Sequence, residues 1–190
     1  MASSSPRRRE ILSWLGLVFD VRAAEVDETP RTGESIADAV RRLALEKAGL
    51  VASSEKKALV IGADTLVTLD GEVMGKPADS EQAVKMLLSL GGRTHEVLTG
   101  IAFVKADEGL SHTAVCRSEV TFKKISDATA LKYVATGEPF GKAGAYAIQG
   151  AGGELVENYK GSFTNIVGLP VTELLRFIVR FGAGRLEWAR

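Results

Sequence analysis

The sequence predicts an α/β protein. Three observations carry that expectation. Ala58–Leu69 is an apolar run rich in β-branched residues, the composition of a central strand. Segments with a helical apolar period stand on either side of it, opening at Ser35 and at Asp79. Two more strand-like runs, His95–Val104 and Thr113–Phe122, face each other across an Asp107-Glu108-Gly109 turn. The 190 residues suffice for one large domain or two tightly joined lobes, and no internal repeat or linker divides them.

At the start of the chain, Ser5 suits a helix N-cap and Pro6 the first helical position. That helix should reach about Leu15, with Ile11, Leu12 and Leu15 on one face and Gly16 as its stop. Arg7, Arg8 and Arg9 fall in its first turn, where the helix dipole disfavours positive charge. Two readings stand: a solvated basic terminus, or an anion site completed by a ligand. Leu17–Val21 reads as a short strand, and Glu25–Pro30 as an acidic turn closing on proline. Ser35 and Asp38 then form a capping box. The apolar stripe of that helix is Ile36, Val40 and Leu43, and it continues to Lys47. Lys47 therefore lies on the buried face, where it either snorkels near the helix end or points into a cleft.

The central run contains one charged residue, Asp64. A carboxylate in a core strand needs a partner, a metal or a cleft, because an isolated buried charge is costly. Asp70-Gly71 signals a hairpin, and the return strand Glu72–Met74 leads into Gly75-Lys76-Pro77. Closing the hairpin brings Lys76 back towards Asp64–Leu66. The result is either a structural ion pair or a carboxylate and a cation facing a phosphorylated substrate.

Asp79 with Gln82 opens a helix to about Leu90, with Val84, Leu87 and Leu88 apolar and Gly91-Gly92 ending it. Ser126–Thr136 is a helix closed by Gly137. Gly137–Gly153 is dense in glycine, so its backbone can approach a ligand closely. Leu155–Tyr159 and Phe163–Val167 read as a hairpin over Lys160-Gly161, and Pro170–Phe181 as the last helix.

Composition narrows the function. Lys+Arg and Asp+Glu are both 24, so net charge provides no drive towards nucleic acid or membrane, and any anion site is a local cluster. Aromatic content of 6% further weakens a nucleic-acid reading of Arg7–Arg9. A lone Cys116 excludes an intramolecular disulfide and a multi-cysteine metal site. His95 and His112 have no ligand spacing and read as ordinary strand and loop residues. A divalent ion would need hard oxygen ligands, which suits Mg2+ or Mn2+. No apolar run has membrane-spanning length and no signal-peptide core is present, so a soluble cytoplasmic protein is expected.

Several segments in order resemble the Maf family of nucleotide pyrophosphatases over nearly the whole chain. They are S-x-S-P-R-R near the start, E-V-D-E, the E-K-A of the second helix, G-A-D-T, G-K-P, K-A-G-A-Y-A-I-Q-G and V-G-L-P. The resemblance implies one Maf-like domain. It has an elongated, mixed, twisted sheet flanked by helices, and two lobes with a cleft, similar to inosine triphosphate pyrophosphatases. It implies hydrolysis of dTTP, UTP and modified pyrimidine nucleotides to the monophosphate and pyrophosphate, with Mg2+ or Mn2+. Asp64 matches the family's general base and Glu28 the second acidic residue, together the metal pair. Arg8, Lys47 and Lys76 match its cations, and Ser5 the serine of the phosphate-binding turn. Arg7, Thr65 and Gln149 match positions that separate the dTTP/UTP branch from the branch acting on 7-methyl-GTP. Only Met1-Ala2 precede Ser3, where relatives usually carry a short apolar strand. The expectation is a truncated first strand, or a true start upstream. A house-cleaning role, a link to cell-division arrest and a homodimer are implied by the resemblance alone. The alternative to an enzyme is a nucleotide-binding regulator of septum formation without turnover.

Chemistry and resemblance agree on the demand. A triphosphate carries about four negative charges near neutral pH, which arginine, lysine and a metal can offset. A carboxylate such as Asp64 can take the proton of an in-line water.

Overall fold

The computed structural model describes residues 1–29 and 31–182. Pro30, expected to close the acidic turn, lies outside the described residues.

The apolar run forms β1 (Val60–Leu69), buried everywhere except at the half-buried Thr65 and Leu66. Asp70 and Gly71 both take positive φ, 53° and 86°. That two-residue turn has the twist of its flanking strands. It returns β2 (Glu72–Met74) antiparallel, with Val67 opposite Met74 and Leu69 opposite Glu72. Pairing ends at Met74, so Gly75-Lys76-Pro77 leaves the ladder. β3 (Thr94–Lys105) and β4 (Leu110–Phe122) are joined by a short 3₁₀ turn ending on Gly109. β5 (Val156–Lys160) lies antiparallel on β4, with a bulge after Thr121. The sheet order is β2-β1-β3-β4-β5. A parallel bridge from Ala2 to Gly62 makes the pairing mixed, and the Ala2 N–H donates to the Ile61 carbonyl at 2.7 Å.

The helices are α1 (Pro6–Trp14), α2 (Ile36–Ser54), α3 (Ser80–Leu90), α4 (Asp127–Val134), α5 (Phe163–Val167) and α6 (Val171–Phe177). α2, α3 and α4 begin at side-chain caps. The hydroxyl of Ser35 accepts from the Asp38 N–H at 3.1 Å, Asp79 from Gln82 at 2.8 Å, and Ser126 from Thr129 at 3.2 Å. Each such cap contributes about 1 kcal/mol. On α3 the fully buried positions are Ala83, Leu87 and Leu90, with Val84 and Leu88 half-buried beside them.

Two expected elements differ. Leu17–Val21 is irregular, with Leu17 alone in a bridge. Its neighbourhood bonds to the chain start instead. The Arg22 N–H donates to the Met1 carbonyl at 3.0 Å, and the Met1 ammonium donates to the Asp20 carbonyl at 2.7 Å. Phe163–Val167 is helix α5, and β5 pairs with β4 rather than with it. Ser162 starts that helix, since its hydroxyl accepts from the Asn165 N–H at 3.2 Å and its carbonyl from Ile166 at 3.2 Å. The Asn165 side chain then donates to the Val97 carbonyl and to Ser118 Oγ. Five residues, Phe-Thr-Asn-Ile-Val, carry too little period to separate helix from strand.

The chain forms two compact units. The first comprises Met1–Asp64, Thr99–Cys116 and the described residues from Gly168 onward. Its core includes Ala2, Ala44, Ala48, Val51, Ala52, Val60 and Ala102. The second comprises Thr65–Leu98 and Arg117–Val167, and packs Leu87, Leu90, Val97, Phe122, Tyr133 and Tyr146.

Small residues let α2 lie unusually close to the strands. A Cβ on Gly62 would fall 2.2 Å from the Ala44 carbonyl oxygen, and one on Gly100 would fall 2.1 Å from that of Val40. Only glycine permits either approach. Gly62 and Asp64 share one face of β1, because strand side chains alternate. The approach that Gly62 allows therefore brings α2, and Lys47 with it, against Asp64.

Candidate active site

Lys47 stands on the sheet-facing stripe of α2 and is 8% exposed. Its Nζ donates to Asp64 Oδ1 at 2.6 Å and to Glu28 Oε1 at 2.6 Å. The Asp64 side chain is 10% exposed and that of Glu28 54%. Lys47 thus neither snorkels to solvent nor stands alone. It ties a buried carboxylate on β1 to a solvent-facing one in the acidic segment. Removing Lys47 would leave the buried Asp64 carboxylate without compensation, which typically costs 3–5 kcal/mol, whereas removing either carboxylate leaves Lys47 paired with the other. Among the described residues, no three His, Cys, Asp or Glu side chains converge to hold a metal ion. The carboxylate pair is the hard-oxygen set they offer there.

Arg8 projects from α1 into the same unit. Its Nε donates to the Gly168 carbonyl at 2.7 Å, and Nη1 donates to the Ala63 carbonyl at 2.8 Å and to Ser3 Oγ at 3.1 Å. It joins the first-turn motif, the residue before Asp64 and the V-G-L-P segment. Gly168 has φ 114°, a conformation that favours glycine, and it presents the carbonyl that Arg8 needs. Burial pushes the Arg8 guanidinium down to about 10, against the pull of the Asp64 carboxylate. Ser5 is half-buried at the N-cap of α1 but makes no side-chain cap bond. Arg7 follows Pro6 in the first turn and is half-buried.

The remaining expected residues belong to the second unit. Lys76 is exposed in the segment after β2. That segment is anchored, since the Gly144 N–H donates to the Gly75 carbonyl at 3.1 Å. The G-K-P and K-A-G-A-Y motifs are therefore neighbours. Thr65 follows Asp64 on β1, where alternation turns its side chain to the opposite face. Gln149 is exposed in a turn between Ala147 and Gly150, and its amide makes no hydrogen bond to a described residue.

Two residue sets carry no signal of their role along the chain. Gly62 and Gly168 stand inside the G-A-D-T and V-G-L-P segments, and nothing local marks the close approach at one or the positive φ at the other. Glu138 accepts from three donors around the Gln149 turn, the Tyr133 hydroxyl and the Ala151 and Gly152 N–H groups. His95 is buried in β3, with Nε2 2.8 Å from the Tyr146 hydroxyl. Burial lowers its imidazole to about 4 and raises the Tyr146 phenol. His112 lies in β4 rather than in a loop, and stacks near Phe103 and Phe177. A lone histidine amid apolar residues carries no periodicity to flag it.

The protein family described as Maf-like protein matches residues 1–181. A dTTP/UTP pyrophosphatase of Myxococcus xanthus is 50% identical over 96% of this chain and 91% of its own length. One of Pelotomaculum thermopropionicum is 48% identical over 96% of this chain and 95% of its own. One of Bacillus cytotoxicus is 42% identical over 97% and 95%. No helix among the described residues is long and apolar enough to cross a membrane.

Proposed function

We propose that this chain, which belongs to the Maf-like family, hydrolyses dTTP and UTP to the nucleoside monophosphate and pyrophosphate. The observation that carries the reading is the Asp64–Lys47–Glu28 trio. Two carboxylates converge at 2.6 Å on one cationic position, beside a buried guanidinium. A purely structural ion pair needs only one carboxylate.

The residues divide the work. Asp64, buried on β1, takes the proton of the attacking water. Lys47 holds Asp64 and Glu28 in register, so the base is oriented before substrate arrives. Asp64 and Glu28 would also hold a divalent ion. Mg2+ and Mn2+ take one or two carboxylates from a protein and complete their shell with water and phosphate oxygens, so the donor set fits. Such an ion, when bound, supplies positive charge to the triphosphate. Ser5 and Arg7 at the start of α1 receive phosphate oxygens, helped by the helix N-terminus. Arg8 adds positive charge beside Asp64, and the exposed Lys76 adds a second cation for the phosphates. Each charge-assisted contact contributes roughly 1.5–3 kcal/mol.

The base is assigned to Gln149, with Thr65 as a secondary contact. An amide presents donor and acceptor together and complements the C=O, N–H, C=O edge of uracil and thymine. These bases differ by a methyl, so discrimination between UTP and dTTP should be weak, about 1–3 kcal/mol at most. Cytosine inverts part of that edge and should be a poorer substrate.

The test is pyrophosphate release from UTP, dTTP, CTP and 7-methyl-GTP with Mg2+ or Mn2+. Turnover of UTP and dTTP above the other two is expected. Nucleotide binding with no release from any of them would overturn the reading in favour of a binding protein.

A further inference from the structure

The amide of Gln149 makes no hydrogen bond to a described residue, so the backbone of its turn sets where the side chain starts. That backbone is held from behind by two side chains the proposed chemistry does not use. Tyr133, buried near the end of α4, donates its hydroxyl to Glu138 Oε2 at 2.6 Å. The same hydroxyl accepts from the Ala147 N–H at 3.1 Å. Glu138 Oε1 accepts from the Ala151 N–H at 3.1 Å, and Oε2 accepts from the Gly152 N–H at 2.8 Å. One tyrosine–carboxylate pair therefore ties down the chain on both sides of Ile148-Gln149-Gly150.

The glycines of this stretch make room for that pair. A Cβ on Gly150 would lie 1.8 Å from Glu138 Oε1, and one on Gly152 would lie 2.6 Å from the Tyr133 hydroxyl. Gly150 has φ −109° and ψ −153°, backbone open to any residue, so close approach rather than conformation calls for glycine here. Lys142 completes the frame by donating to the Glu138 and Phe140 carbonyls.

We propose that Glu138 and Tyr133 are positioning residues for base selection, fixing the turn from which the Gln149 side chain reaches the pyrimidine. The inference rests on reading Gln149 as the base contact. A pre-formed turn lowers the ordering cost of binding and holds the Gln149 backbone at one distance from the base edge, so the amide reaches a pyrimidine without rebuilding the loop. A merely structural pair would lower thermal stability without changing the ranking of substrates.

The experiment compares wild type, Glu138→Gln, Tyr133→Phe and Gln149→Ala on UTP, dTTP and CTP, with pyrophosphate inhibition measured in parallel. In the two frame variants KM for UTP should rise about tenfold with kcat changed less than about threefold. The UTP-over-CTP ratio of kcat/KM should fall by about tenfold. Pyrophosphate inhibition should be unchanged. Amide hydrogen exchange on the wild-type protein serves where a variant fails to fold. Protection at Ala147, Ala151 and Gly152 supports the frame, and exchange there at open-loop rates overturns it. If Gln149→Ala loses the UTP preference while both frame variants keep it, the positioning role is wrong and the base contact stands. If Gln149→Ala keeps the wild-type ratio, the base assignment is wrong and the positioning role falls with it.

Discussion

Gly62 and Gly150 each stand where a Cβ would collide with a neighbour, and the two collisions differ in kind. At Gly62 the obstacle is the Ala44 carbonyl, 2.2 Å from the Cβ position, inside a 19-residue helix. At Gly150 it is the tip of the Glu138 side chain, 1.8 Å away, which can rotate aside. The shorter distance is therefore the milder obstacle. The two regions also use their carboxylates differently. Asp64 answers a buried ammonium, charge against charge. Glu138 answers a phenol and two backbone amides. Burial would raise its carboxyl, but the hydrogen bonds from Tyr133, Gly152 and Ala151 outweigh burial and hold it below its ordinary value. The first arrangement buries charge against charge, and the second holds a backbone shape.

The contrast is sharpest in turnover. Asp64→Asn should lower kcat on the order of 10²–10⁴-fold. The protein should stay folded, because Lys47 keeps Glu28 as a partner. Pyrophosphate release and a thermal melt measure both halves, and near wild-type turnover would remove Asp64 as the base.

Lys47→Met should cost roughly 3–5 kcal/mol, because it leaves the Asp64 carboxylate buried without its cation. Adding Asp64→Leu should recover most of that stability while leaving the protein inactive. A single-variant cost below about 1 kcal/mol in urea titration would show that Asp64 is not confined by the packing of α2.

The second unit should respond to acid through His95. Its folded value of about 4 lies below the ordinary 6.5, so between those values the unfolded chain binds the proton and the folded one does not. Stability is full above about pH 6.5 and declines as pH falls towards about 4, by about 3 kcal/mol. His95→Gln keeps a hydrogen-bonding partner for Tyr146 without a titrating ring, and should flatten this limb of the stability curve. An unchanged slope would place the acid sensitivity elsewhere.

The glycines give the smallest and most direct comparison. Gly62→Ala should cost roughly 1–3 kcal/mol, as overpacking against backbone does, and should slow turnover by moving Lys47. Gly150→Ala should cost less than about 1 kcal/mol yet erode the preference for UTP over CTP, because it displaces Glu138. Equal melting temperatures and equal substrate ranking in the two variants would erase the distinction drawn between them.

Local features were legible in the sequence because the interactions behind them span a few residues. The Ser35, Asp79 and Ser126 caps, the Asp70-Gly71 turn and the strand at Val60–Leu69 all follow from neighbours within about four positions. The need of Asp64 for a partner was equally legible, since a lone carboxylate in an apolar strand is costly wherever the strand lies. Which partner it takes was not. The hairpin points to Lys76, and the helix stripe places Lys47 on a buried face without saying what it meets. The glycine-enabled approach of α2 to β1 put Lys47 on Asp64, 17 positions away. Arg8 meets the Gly168 carbonyl across 160 positions, and Glu138 braces a turn 13 and 14 residues on. Ser162 turned Phe163–Val167 into helix where the apolar pattern suggested strand. Capping, turn chemistry and periodicity are properties of short segments and can be read along the chain. Which charges are buried together depends on how closely distant segments pack, and only the assembled tertiary structure sets that distance.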